Sequence, residues 1–392
     1  MTAFDKILTV SIILVSGIYC SNTNHDTKTG TQVKAPLLPP QMTFDSSFNP
    51  QRAAIIDNYF KKRNALGHFS GAFLFYDSGK YYTNAYGFAN GKLKTALKPE
   101  MPFQIASVSK TITAYTILSL IDKGKLNLTT GVYQILEGFP YKQITVAHLL
   151  SHKSGIPNYM YFAESYYKNK YRHLTNADVL WMLKRYRPKL EFTPNSRYKY
   201  SNTNYVLLAL IVESLTGQNF QTYVQDSIFK VVGMNNSFIF TPEMSTLNQT
   251  VQGHVGGRSI IADFYQNGTM GDKGVYTSVY DLLVFDQALR KHILVTPTTL
   301  KEACTPHTPC RPTMDYYGYG WRIRYYNTGD TIIYHNGWWQ GFKAYLVRWK
   351  NKDRCVIVLA NTVSGGFIKQ TDLMALMDGI KPSELTSIQA ED

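Results

Sequence analysis

The stretch from Gln104 to Asp122 limits most strongly how this chain can fold. Apolar or small residues recur on a broad face between Ile112 and Ile121, the pattern of a largely buried helix, and Gly124 follows as a stop signal. Ser107 falls where that helix begins. Lys110 is three residues on, so the two side chains share one face, a turn apart. A helix N-terminus brings free N–H groups and a partial positive charge to a hydroxyl placed there. A buried lysine gives up part of its proton affinity and becomes able to act as a base near neutral pH. The same spacing recurs at Ser165/Lys168, Ser196/Lys199 and Ser227/Lys230. Spacing alone therefore selects nothing; the position of Ser107 and the residues downstream of it do.

The 392 residues, 44% hydrophobic and 17% charged, suffice for a substantial globular core. A net charge of +14 raises the question of nucleic acid, but no Lys/Arg block or zinc-ligand spacing supports it. A basic soluble surface is the plain reading, and attraction to an anionic envelope surface the sharper one. Residues 7–19 form an apolar run after Lys6, too short to span a membrane comfortably and similar to the core of a signal peptide. Cys20 follows directly, so residues 1–20 resemble a bacterial lipoprotein signal in which Cys20 carries lipid and tethers the chain to a membrane. Ile18 and Tyr19 depart from the small residues expected before such a cysteine. Plain secretion and an uncleaved anchor stand as alternatives, and all three place the remaining chain outside the cytoplasm, in the periplasm or cell envelope. In that oxidising setting Cys304 and Cys310, which enclose Thr-Pro-His-Thr-Pro, are candidates for a small disulfide ring of about 2 kcal/mol. Cys355 precedes a strand-like run and reads as a buried thiol.

Residues 21–46 are polar and carry Pro36, Pro39 and Pro40, as a tether does. A helix over 49–64 follows, then strands over 70–76 and 80–88 joined by a turn at Asp77-Ser78-Gly79. From about 126 to 290 the chain reads as mainly helical, with a short helix capped at Thr145 and a strongly apolar one from Tyr205 that ends at Gly217. Strands return over 319–326, 331–335, 342–349 and 354–360, and a helix over 368–379 precedes a tail at 381–392. No internal repeat is present. Strands at both ends and helices between predict an α/β (α+β) domain over 47–380, with one sheet built from both chain ends, flanking helices and an inserted helical lobe.

Two further triplets complete a candidate site. Tyr200-Ser201-Asn202 opens a long apolar helix. A tyrosine beside a lysine can work as a general base or acid once that cation lowers its pKa, and Asn202 can orient Lys110 and a substrate amide. His335-Asn336-Gly337 ends a predicted strand, where Gly337 would let a substrate lie close to the strand edge. The N–H of Trp338 could then pair with that of Ser107 as an oxyanion hole. Short decoys exist for both triplets, at Tyr265/Asn267, Tyr325/Asn327 and His254/Gly256, so order and element context decide.

The residues around these triplets resemble the β-lactamase-related serine hydrolases, the branch of the penicillin-binding superfamily that holds class C β-lactamases, D-aminopeptidases, DD-peptidases and esterases. The resemblance covers about residues 47–375. It rests on IASVSKTIT at 105–113, ITVAHLLSHKSGIP at 144–157, YKYSNTNYVLLALIVESLTG at 198–217, VVGMNNSF at 231–238, GVYTSVYDLLVF at 274–285 and HNGWWQGF at 335–342. Y-S-N and H-N-G stand where related enzymes carry S-D-N and K-T-G. The resemblance implies a β-lactamase/DD-peptidase-like fold with an antiparallel sheet, and a site between the sheet lobe and the helical lobe. It makes Ser107 the nucleophile, Lys110 its base partner, Tyr200 a proton shuttle and Asn202 a contact for substrate and lysine. His335 and Gly337 line the site from the sheet.

One departure shapes the expected chemistry. A lysine at position 335 would give a substrate carboxylate a full charge, whereas an unperturbed histidine, with a pKa of about 6.5, is only about a quarter protonated at pH 7. Ester or peptide hydrolysis is therefore expected ahead of β-lactamase or DD-peptidase action. A non-catalytic envelope-binding protein on the same scaffold is the rival class. The expected partner is a small-molecule or peptide substrate, with no nucleic acid, cofactor or metal. His148 and His152 share a helical spacing, but no glutamate lies between them and no third ligand is evident, and the resemblance makes His152 structural.

Overall fold

Ser78 and Gly79 both hold positive φ, 51° and 91°, a two-residue reversal that pairs strand β1 (Gly71–Asp77) with β2 (Lys80–Tyr86). This hairpin forms one side of an eight-stranded sheet in the computed structural model, which describes residues 47–241, 251–255, 259–309 and 315–382. The other strands come late in the chain: β3 (Thr308–Pro309), β4 (Asp315–Tyr317), β5 (Arg322–Tyr325), β6 (Thr331–Trp339), β7 (Phe342–Trp349) and β8 (Arg354–Ala360). Their order is β3-β4-β5-β6-β7-β8-β1-β2, every pairing antiparallel. Gly71 stands opposite Ala360, so the two ends of the chain meet in the middle of one sheet, as the sequence suggests.

Strand alternation divides the core in two. Phe73, Phe75, Val356 and Val358 point to one face, where α1 (Pro50–Ala65) contributes Ile56 and Phe60 and the terminal helix Gln370–Asp378 contributes Leu373, Leu376 and Met377. Ala72, Leu74, Ile357 and Leu359 point to the other, against α2 (Ser109–Asp122) and the helical insertion. A strand buried on both faces has no use for alternating polarity, which explains why residues 71–76 read as one apolar run. The insertion holds the helices Val132–Ile135, Val146–Leu150, Tyr159–Tyr166 and Asn176–Tyr186, then α3 (Asn202–Thr216), which stops at Gly217 with φ 69°. A small second sheet pairs Phe103–Gln104 with Val275–Thr277, and so lays the segment before Ser107 beside residues 271–277.

Two boundaries close to the candidate site differ from expectation. Strand β6 runs on to Trp339 instead of ending at His335, because the Asn336-Gly337 pair, a turn signal by composition, sits inside the ladder opposite Tyr345 and Ala344. The reversal comes at Gln340 and Gly341, with φ 45° and 84°. Strand β5 starts at Arg322 because Gly320, at φ 83°, turns the chain just before it. Cys304 and Cys355 are buried free thiols. Cys310 lies outside the described residues, as do Cys20, the apolar run at 7–19, the tether and most of the tail. Among the described residues no helix is long and apolar enough to cross a membrane.

Candidate active site

Residues Ala106–Val108 form a single tight turn ahead of α2. Ala106 holds φ 47°, a left-handed conformation that costs a residue with a Cβ and is concentrated at functional sites. Ser107 is partly exposed, whereas Lys110 is fully buried. The Nζ of Lys110 lies 3.1 Å from Oγ of Ser107 and donates to the main-chain carbonyl of Asp272 at 2.7 Å. Burial pushes the Lys110 pKa down to about 7; the Asp272 carboxylate opposes that shift and Arg322 adds to it. Ser109 Oγ accepts from the N–H of Val275 at 3.2 Å, and Thr113 Oγ1 donates to the carbonyl of Gly271 at 2.8 Å. The buried polar positions of α2 thus pin this helix to residues 271–275, and Lys110 is one of the pins.

Tyr200 closes the site from the helical lobe. Its ring centroid lies 5.0 Å from Lys110 Nζ. Its hydroxyl is buried beside that of Ser107. Burial pushes its pKa up, and the Ser107 hydroxyl and Arg322 offset this only in part. This corrects the expectation of a phenol acidified by lysine: Tyr200 is a neutral phenol, suited to giving a proton rather than taking one. Asn202 is partly exposed on the first turn of α3, but its amide donates to Sδ of Met160 at 2.8 Å. The expected contact to Lys110 is taken by the Asp272 carbonyl instead.

His335 departs furthest from expectation. It is 1% exposed and both ring nitrogens are engaged. The backbone N–H of Ser201 and the amide of Asn204 reach Nδ1 of His152, at 3.2 and 3.1 Å, which leaves the His152 proton on Nε2. That proton faces the Tyr317 hydroxyl at 3.3 Å, and Tyr317 in turn faces Nε2 of His335 at 3.2 Å. Nδ1–H of His335 then donates to the carbonyl of Asn336 at 2.8 Å. Burial, then Arg322, then Lys110 hold the His335 pKa well below the usual imidazole range. His335 is a neutral strut of the site, with no free donor for a substrate.

Gly337 serves a different neighbour from the one expected. A Cβ there would fall 2.3 Å from the carbonyl oxygen of Ile105 and 3.0 Å from the backbone nitrogen of Ser107. The glycine therefore admits the turn that carries Ser107 against β6. Trp338, next along, is 59% exposed.

Sequence reasoning missed two features. Arg322, at the start of β5, is partly exposed, with its guanidinium 5.6 Å from the Tyr200 ring centroid and 5.9 Å from that of Tyr317. It brings the fixed positive charge that His335 lacks. The only local signal was the glycine-bracketed turn Gly318-Tyr319-Gly320 before it. The second is the buried cluster of Asp272, Lys273, Tyr159 and Thr269 behind Lys110. His148 serves its own helix cap through Thr145, at 3.2 Å, and among the described residues no group of three or more metal-ligating side chains converges.

Comparison with known proteins shows the family and supports the fold. The Beta-lactamase family model matches residues 56–378. Penicillin-binding protein 4* of Bacillus subtilis (strain 168) is 31% identical over 324 residues, covering 78% of this chain and 71% of that protein. Protein flp of Staphylococcus aureus (strain MW2) is 26% identical over 322 residues, and the match spans 78% of this chain but only 62% of that relative's length. Among solved structures, the octameric penicillin-binding protein homologue from Pyrococcus abyssi superposes with a TM-score of 0.73 at 24% identity, over 84% of this chain and 78% of that one, which supports the fold.

Proposed function

The chain belongs to the β-lactamase family and is a serine hydrolase, and from that premise we propose that Ser107 carries an acyl-enzyme reaction on an amide or ester whose substrate bears a carboxylate. The observation that carries this reading is the Ser107–Lys110 contact at 3.1 Å, with a lysine whose pKa near 7 leaves it substantially neutral at working pH.

Neutral Lys110 takes the proton of Ser107 as Oγ attacks the carbonyl carbon. The oxyanion that forms lies against β6, where the N–H groups of Ser107 and Trp338 are its donors. The Tyr200 phenol gives its proton to the departing nitrogen or oxygen and is restored from Lys110. Water then releases the acyl group by the reverse path. Asn202, on the rim, is placed to meet the substrate amide. Arg322 receives the carboxylate through charge-assisted hydrogen bonds. This removes the reason for ranking ester or peptide hydrolysis above β-lactamase or DD-peptidase action, which assumed that the sheet side of the site had no fixed charge. The relatives named for penicillin binding fit the same substrate shape, an amide with a carboxylate nearby.

A place in the cell envelope, with Cys20 as a lipid anchor, is the setting that the apolar run at 7–19 supports. Cys20→Ser should release the protein from membranes, and unchanged fractionation would dismiss the anchor. For the chemistry, wild type and Ser107→Ala are labelled with a fluorophosphonate and with a fluorescent penicillin. Label from both reagents on wild type alone is the expected result. Label from the first alone would favour a neutral ester or peptide substrate, and no label from either would leave a non-catalytic binding protein.

A further inference from the structure

Directly behind Lys110 lies a buried ion pair that the reaction above does not use. Asp272 is 1% exposed and Lys273 3%. Asp272 Oδ2 accepts from the Tyr159 hydroxyl at 2.9 Å and faces Lys273 Nζ at 3.4 Å. Lys273 is held in turn by the Tyr159 hydroxyl at 2.6 Å and by Thr269 Oγ1, and its Nζ lies 5.0 Å from the Trp339 ring centroid. The other carboxylate oxygen, Oδ1, is buried with no hydrogen-bond partner among the described residues. The main chain of the same residue grips Lys110 through its carbonyl at 2.7 Å. One residue thus fixes the position of the base and sets a carboxylate beside it.

We propose that Asp272 and Lys273 are a positioning pair that sets the charge state of Lys110, with Asp272 favouring its protonated form and Lys273 holding that influence in check. The proposal rests on Ser107 and Lys110 acting as nucleophile and base. A bare carboxylate beside a buried amine would keep the amine charged and useless as a base. Lys273 compensates that carboxylate and repels a charge on Lys110. When Lys110 takes the Ser107 proton, the Asp272 carboxylate favours the new cation through its charge. A purely structural role explains less, because a buried ion pair gains little stability over apolar side chains of the same size.

The other charged and titratable groups that face Lys110 are Arg322 from β5, His335 from β6, His152 from the loop after Val146–Leu150, and the rings of Tyr200 and Tyr205. Both histidines are held neutral by burial, and Arg322 keeps its charge throughout the working range. None of these changes charge when Asp272 or Lys273 is replaced, so a shift in the acid limb reports on the pair.

The test is the rate of Ser107 modification by a fluorophosphonate between about pH 5 and about pH 10, in wild type, Lys273→Met, Asp272→Asn and the double variant. Lys273→Met should move the midpoint of the rising limb up by about one pH unit, a tenfold loss of rate on that limb. Asp272→Asn should move it down, and the double variant should fall between. Partial unfolding lowers the amplitude of such a curve without moving its midpoint, so either single variant suffices. Slower reaction at every pH with an unmoved midpoint, or midpoints that move the same way in both single variants, would overturn the proposal. Wild type that does not react at all would instead refute the serine chemistry beneath it.

Discussion

The hydroxyl of Tyr317 lies 3.2 Å from Nε2 of His335 and takes up the nitrogen that would otherwise receive a proton. Protonating the imidazole would reverse that contact onto an oxygen that already faces the His152 proton, and would set a charge close to Arg322 and Lys110. Substrate preference should therefore not follow histidine titration. The ratio of kcat/KM for a carboxylate-bearing amide to that for a neutral ester should stay flat between about pH 7.5 and about pH 5.5. Arg322→Met should lower that ratio by about tenfold to a hundredfold, the scale of a hydrogen bond to a charged group worth about 1.5–3 kcal/mol. A ratio that rises on acidification in wild type and is unchanged in Arg322→Met would return the carboxylate to His335.

Burying Lys110 costs stability, which the proposed mechanism turns to use. Its pKa falls to about 7 in the folded chain, below the value of about 10.4 for a free lysine. Between those two values the unfolded state binds more protons, so the cost of burying Lys110 is greatest below about pH 7 and fades as pH rises through about 10. Lys110→Met should thus raise Tm by a few degrees at pH 7, with a smaller gain at pH 10, while acylation slows by at least about a hundredfold. In wild type kcat/KM should rise with pH through about 7. A methionine variant that melts lower than wild type at pH 7 would contradict the burial cost.

These outcomes show where the sequence was legible. The S-x-x-K pair, the apolar helix behind it, the 78–79 turn and strands β7 and β8 are local patterns, set by residues within a turn or by alternation along one strand, and the structure keeps them. What was not legible depends on distant contacts. The acceptor for Lys110 comes from 162 residues away, and the charge state of His335 is decided by burial and by Arg322 and Lys110, which other elements bring beside it. Arg322 reaches the site because β5 pairs with β6 in a register that sets it opposite Tyr334, next to His335. No spacing along the chain announces that pairing. Strand β6 was cut short for the opposite reason, since Asn336-Gly337 carries a local turn signal that the ladder overrides.

Asp286 offers a stability test remote from the chemistry. It is fully buried and accepts from Nε of Arg348 at 2.6 Å and Nε of Arg290 at 2.7 Å. Burial raises its pKa, but the two guanidinium groups outweigh burial and hold it below the usual carboxylate value. Its stabilising effect is therefore present above about pH 4 and lost as pH falls further. Asp286→Ala leaves Arg348 buried and uncompensated, and should cost about 3–5 kcal/mol at pH 7, read as a lower urea midpoint. Below about pH 3 the difference from wild type should shrink. A difference that does not change with pH would mean that packing, not charge, is what Asp286 supplies.

Gly337 is where the sheet and the Ser107 turn meet, and Gly337→Ala should separate their positions without unfolding either. The added Cβ would meet the Ile105 carbonyl oxygen at 2.3 Å and both Ala106 Cβ and the Ser107 backbone nitrogen at 3.0 Å. Two of these three are main-chain atoms, so no side-chain rotation relieves the clash. The turn has little slack to absorb it, since Ala106 already holds φ 47°. The turn must therefore move away from β6 and carry Ser107 with it. Lys110 does not follow freely, because its Nζ is anchored independently on the Asp272 carbonyl. The 3.1 Å contact between Ser107 and Lys110 should open, and the proposed oxyanion donors should be pulled apart. The expected result is a loss of kcat of about a hundredfold or more with KM little changed, at a stability cost of about 1–3 kcal/mol. Fluorophosphonate labelling rate and a urea melt on the same preparation measure both. Labelling at the wild-type rate in a folded Gly337→Ala protein would show that the turn can shift without cost, and would remove β6 from the account of how Ser107 is aimed.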